Sequence, residues 1–147
     1  MKRPDFVSAL VVVTLGLAVS ALGCDSAEKH EAEQVIFAVE FFRKADNASK
    51  PAAVESLRSV KCTATEVCRT RDACLASAEA TARALRLKSE VEQGLDAIEK
   101  GKVAKDSEEA RLLPFKLDEA ENLLKEGFDR LGPCDDQIMA LKRKHKI

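Results

Sequence analysis

Cys62, Cys68 and Cys74 recur at six-residue intervals in a stretch that keeps a helical apolar rhythm and has no glycine or proline between Pro51 and Gly94. No other feature restricts the fold so much. Residues six apart on an α-helix are separated by about 9 Å along the axis and point roughly 240° apart, whereas a disulfide needs Cα atoms within about 7 Å. The three therefore cannot pair with one another inside one unbroken helix. Only one of them can then reach the downstream cysteine, Cys134. If all four are bridged, the helix has to break. Thr63-Ala64-Thr65-Glu66 offers the place, because in a capping box the Thr63 hydroxyl and the Glu66 carboxylate satisfy exposed N–H groups at a helix start. A break over residues 61 to 63 is expected.

Whether all four pair depends on the fifth cysteine, Cys24. The chain opens MKRPDFVSALVVVTLGLAVSALGCD, in which Lys2 and Arg3 form a positive head and Phe6 to Leu22 carries no charge. That run falls short of the roughly 20 residues that span a bilayer, and a charged flank before a small-residue site has the form of an export signal. Ala21-Leu22-Gly23-Cys24 puts glycine directly before a cysteine. The segment resembles the lipobox of bacterial lipoproteins, with the usual order of leucine and small residue reversed at Ala21 and Leu22. The resemblance covers residues 1 to 24 only. It implies that residues 1–23 are a signal peptide that is removed and that the Cys24 thiol receives a diacylglycerol. Residues 24–147 would then be a lipid-anchored domain in the bacterial cell envelope, at either the inner or the outer membrane. Ordinary cleavage after Ala21, where Val19 and Ala21 suit a general signal site, is the rival reading, and an uncleaved anchor is a third. Parity favours the lipid, since assigning Cys24 to it leaves an even number of thiols in an exported, oxidising compartment.

Removing Lys2, Arg3 and Asp5 from 24 basic and 25 acidic residues leaves a net charge of −2. That balance provides no large basic field for nucleic acid. About 124 residues remain, which suits one domain. With no Trp or Tyr, two His, and many Ala, Leu, Glu and Lys, the intrinsic preference is helical, so the expected class is all-α. Ala32, Val35, Val39 and Phe42 mark one helical face, and Ala53, Leu57, Val60, Ala64 and Val67 continue the rhythm after Ser49 and Pro51, a cap and a first-turn proline. Cys74, Ser77, Thr81, Ala84, Leu87, Val91, Leu95 and Ile98 form a third stripe, which Gly101 ends. Asp106 with Glu109 makes a second capping box. Ala110, Leu113, Leu117, Ala120, Leu124, Phe128 and Leu131 form a fourth stripe, in phase on both sides of Pro114, so that proline is expected to bend the helix rather than end it. Gly132 and Pro133 are expected to close this arm, with Asp135 or Asp136 capping a short last helix.

The two long stripes read as an antiparallel hairpin with its loop centred near Ala104. At a uniform rise of about 1.5 Å per residue, Cys74 and Cys134 then lie at nearly the same height. The favoured pairing is Cys74 with Cys134 and Cys62 with Cys68. The competitor, Cys62 with Cys74 and Cys68 with Cys134, follows if Pro114 shifts the register. The expected architecture is a small disulfide-stapled helical bundle dominated by that hairpin, in which bridges compensate for an alanine-rich core.

Chemistry is hard to find in this chain. Zinc sites commonly use C-x2-C pairs, redox dithiols use C-x-x-C and covalent haem uses C-x-x-C-H, none of which occurs. His30 and His145 lie among charged residues and read as solvated. No nucleophile motif or phosphate loop stands out, so no catalytic residue, cofactor or metal is assigned. Two features can make contacts. Val35, Ile36, Phe37, Val39, Phe41 and Phe42 are too crowded for one narrow stripe, and Phe37, Phe41 and Phe42 are the candidate surface for a partner, unless the helix is buried on two sides. Lys142, Arg143, Lys144 and Lys146 can touch anionic headgroups or wall polymer, or simply complement the dipole at a helix end. The leading expectation is a noncatalytic envelope lipoprotein that presents helical surface to another envelope protein. A binding module using the basic tail is the alternative, and an enzyme of unknown type is the third.

Overall fold

The computed structural model describes the backbone of residues 22–147 and side chains from Ser26 onward. The signal-peptide reading of residues 1–23 falls mostly outside these residues, as does the Cys24 thiol. Five helices follow one another: α1 (Leu22–Lys44), α2 (Lys50–Ser59), α3 (Thr65–Glu99), α4 (Glu108–Asp129) and α5 (Leu131–His145). The described residues contain no strand. The longest element, α3, has 35 residues and so runs about 52 Å.

The chain does break between Ser59 and Thr65, but the expected capping box does not form. Ala64 occupies the N-cap position without a side-chain cap bond. The exposed donors are satisfied from α1 instead: the Glu31 carboxylate accepts from Thr63 N–H at 2.8 Å, Ala64 N–H at 3.2 Å and the Thr63 hydroxyl at 2.7 Å. Glu66 turns away to Lys144, at 2.6 Å. These N–H groups hold Glu31 below the usual carboxylate range, because they bind its charged form.

Three other starts differ from expectation. Asp46, rather than Ser49, turns the chain into α2, its carboxylate accepting from Ser49 N–H at 2.8 Å. Ser107, not Asp106, caps α4, with its hydroxyl accepting from Ala110 N–H at 3.2 Å. Gly132 and Pro133 do not end the fourth arm. The chain turns at Arg130, and α5 starts at Leu131 with Pro133 in its first turn, where a missing N–H goes unneeded. Asp135 and Asp136 consequently lie inside α5, and Asp135 pairs with Arg43 of α1. Gly101 sits at φ +67° after α3, the left-handed turn that glycine adopts without a Cβ penalty.

Two packing regions result. In the base, α1, α2, the first half of α3 and α5 enclose Val35, Val39, Val54, Leu57, Val67, Ile138 and Leu141. No member of this cluster, full or partial, lies beyond Ala82 on α3. The rest of α3 is paired with α4 as a two-helix arm. Its seam is built of small residues, Ala80, Ala84, Gly94, Ala120 and Gly127, with Val91 and Leu113. Cys74 and Cys134 are bonded with Cα atoms 4.7 Å apart and both sulfurs buried, which closes the arm onto the base. Cys62 and Cys68, 5.4 Å apart, bridge the break before α3.

Candidate functional site

The structure divides the fourth stripe between seam and solvent. Leu113 and Ala120 are buried, but Leu117, Leu124, Leu131 and Phe128 stay exposed, Phe128 at 72%. A helix with a single neighbour covers only a narrow band of its surface, so an apolar stripe wider than that band is left partly open. Leu95 of α3 is likewise 55% exposed. Val91, Leu95 and Ile98 together with Ala110, Leu113, Pro114 and Leu117 line a groove of about 300 Å³ near the arm's tip. By helical phase, Leu124 and Phe128 continue the Leu117 row along the same flank. Phe115, 69% exposed, faces outward between the two flanks, and the opposite flank carries ion pairs beside the exposed Leu112. Arg83 pairs there with Glu119, and Lys116 Nζ lies 2.8 Å from Glu90, which holds Glu90 below the usual carboxylate range.

A second apolar patch lies on α1. Phe37 is 73% and Phe41 46% exposed, while Phe42 is half-buried with Lys50 Nζ 4.7 Å above its ring centre. Phe37 borders a groove between α1 and α2 with His30, Gln34 and Ser56. Two-sided burial of the crowded cluster is thus not what happens: Val35, Ala38 and Val39 fill the core, and Phe37 and Phe41 point away from it.

The basic segment is not a free tail. Residues 142–145 form the last turn of α5, and Lys146 follows in the left-handed conformation. Lys144 is engaged internally, with Nζ 2.8 Å from Glu28 and 2.6 Å from Glu66, and these two carboxylates raise its affinity for its proton while Lys144 lowers that of Glu66. His145, expected to be solvated, is buried. Its Nε2 lies 3.6 Å from Glu28 Oε1 and has no hydrogen-bond partner among the described residues. Nothing local revealed this, because the burial is created by α1 crossing α5. Lys142, Arg143 and Lys146 make no ion pair among the described residues, although Lys142 is half-buried. His30 is exposed and shares a 3.1 Å contact with Gln34.

A cleft of about 360 Å³ between α2 and α3 is lined by Arg58, Arg83, Arg86, Glu55 and Glu79. Arg58 pairs there with Glu55 and with Glu79 at 2.6 Å, which drives its proton affinity still higher, while Arg83 reaches Glu119 and Arg86 makes no ion pair among the described residues. Among the described residues no three His, Cys, Asp or Glu side chains converge as metal ligands, and no helix is long and apolar enough to cross a membrane. No protein-family model, curated protein or solved structure matches the chain.

Proposed function

We propose that this chain is an exported, noncatalytic envelope lipoprotein, anchored through a lipid on Cys24, whose two-helix arm binds an amphipathic helix of another envelope protein. The observation that carries this reading is the open apolar row Leu95, Leu117, Leu124 and Phe128 beside the groove at Pro114. A two-helix hairpin buries one seam. Adding a third amphipathic helix along the uncovered row extends that seam by the same ridges-into-grooves packing that joins α3 to α4. An exposed apolar row bounded by charged residues is the usual form of such a site. Phe37 and Phe41 on α1 provide a second, smaller patch on the base.

In-cell photo-crosslinking separates the faces. A photoreactive residue at Leu117 or Phe128 is expected to capture one reproducible protein neighbour. The same residue at Arg83 or Glu90, on the ionic flank, is expected to capture none. Equal capture from both flanks, or recovery of glycan alone, overturns the arm as a protein-binding surface.

A further inference from the structure

The fold brings the two ends of the chain's described region together. Helix α1 includes position 24 and needs no linker before its first turn, so a lipid on Cys24 leads directly into the folded body. Glu28 lies four residues on, about 6 Å along the helix. It is Glu28 that receives Lys144 and sits beside His145, so the last turn of α5 is fixed next to the tether. The start of α3 is held at the same end by the bond from Glu31 to Thr63 and by that from Lys144 to Glu66.

The charges at this end sort unevenly. Glu28 and Glu66 are used by Lys144, and Glu31 is used by the N–H groups at residues 63 and 64. Lys29, Lys61, Arg69, Lys142, Arg143 and Lys146 are left without an ion-pair partner among the described residues, against Glu33. We infer that the Lys142, Arg143 and Lys146 turn, pinned beside Cys24, is a second membrane contact that binds anionic phospholipid headgroups and fixes how the body stands on the bilayer. The inference rests on the lipid anchor proposed above. Its physical basis is that a lipid holds a protein at the surface without setting its tilt, whereas cations within a Debye length of an anionic leaflet each add attraction and together select one orientation. The arm would then project from the membrane with its apolar row clear of the headgroups.

The test uses the mature lipidated protein in vesicles of phosphatidylcholine alone, or of an equal mixture of phosphatidylcholine and phosphatidylglycerol. Flotation reads the anchor, and amine labelling of Lys142 and Lys146 reads the patch. Expected are flotation on both vesicles, and protection of the two lysines on the anionic vesicles alone, reversed by high salt. A variant carrying K142Q, R143Q and K146Q keeps its fold, since these side chains have no ion-pair partner to lose and give up only their small interaction with the end of the α5 dipole. If Cys24 is exchanged for serine, residual binding to the anionic vesicles is expected to fall about a hundredfold when the three charges are also neutralised. Flotation on both vesicles with equal labelling on both overturns the patch and leaves the anchor standing. Failure to float on phosphatidylcholine overturns the anchor, and protection by purified wall polymer instead of anionic lipid overturns the choice of ligand.

Discussion

The Ser77 hydroxyl donates a buried 2.7 Å hydrogen bond to the Gly127 carbonyl, tying α3 to α4 one turn beyond the Cys74–Cys134 bridge. The bond requires the two backbones to approach closely, and Gly127 permits it. A Cβ built there would meet Thr81 Oγ1 at 2.6 Å, Ser77 O at 3.2 Å and Thr81 N at 3.3 Å. Two of those atoms are backbone and cannot rotate away.

Gly127→Ala therefore sets two effects against each other. Helix propensity favours alanine by about 1 kcal/mol, but forcing apart a packed seam costs typically 1–3 kcal/mol. The seam is expected to win, so the variant should unfold at lower urea concentration than the parent. Gly132→Ala, where a Cβ meets nothing within 4 Å, is the control and should be neutral or slightly stabilising. Equal responses at the two glycines would show that the close approach has no energetic weight.

The two bridges differ in loop length. Cys74–Cys134 closes 60 residues and Cys62–Cys68 closes 6, for which the chain-entropy relation gives about 4 and about 2 kcal/mol. C74A/C134A is thus expected to lower the unfolding free energy more than C62A/C68A, with the arm losing amide-exchange protection first. A larger loss from the short loop would contradict this order.

Glu31 makes stability depend on pH. Its folded value lies below its ordinary 4.5, because Thr63 and Ala64 donate to the ionised carboxylate. The stabilisation is therefore complete above about pH 4.5 and is lost as pH falls through the lower folded value. Glu66 and Glu90, both lowered by lysine partners, act in the same direction. Glu31→Gln should flatten this acid limb of the stability curve and leave any change near neutral pH as a constant offset. An acid limb of unchanged steepness would remove Glu31 from the account.

On the arm, burial and exposure divide one stripe into two kinds of residue. Leu113, buried against Gly94, should cost about 2–5 kcal/mol when changed to alanine. Phe128→Ser, a change at a largely exposed position, should stay within about 0.5 kcal/mol of the parent and yet lose the crosslinked neighbour. If Phe128→Ser unfolds the arm, the residue belongs to the fold and the docking surface shrinks accordingly.

Much of this architecture could be read along the chain because it depends on local rules. Apolar spacing marks α1 to α4, and six-residue cysteine intervals require the interruption before Thr65. Gly101 marks the end of α3, since positive φ is a backbone demand that a single residue meets. What escaped notice depends on partners remote in sequence. Glu31 caps a helix that starts more than thirty residues later. His145 is buried by a helix more than a hundred residues earlier, in a segment whose composition looks solvated.

The candidate surfaces divide in the same way. Crowding along α1 was enough to single out Phe37 and Phe41, because the six apolar positions between Val35 and Phe42 cannot all face one neighbour. The open row on α4 was invisible: Leu117 and Leu113 belong to one stripe, and periodicity cannot say how many helices will pack against it. Periodicity is a property of one chain segment, while burial belongs to the pair of surfaces that meet. Here α1 and α2 stop short along α3, which leaves the arm with a single seam and Leu95, Leu112, Leu117, Leu124, Phe115 and Phe128 in solvent.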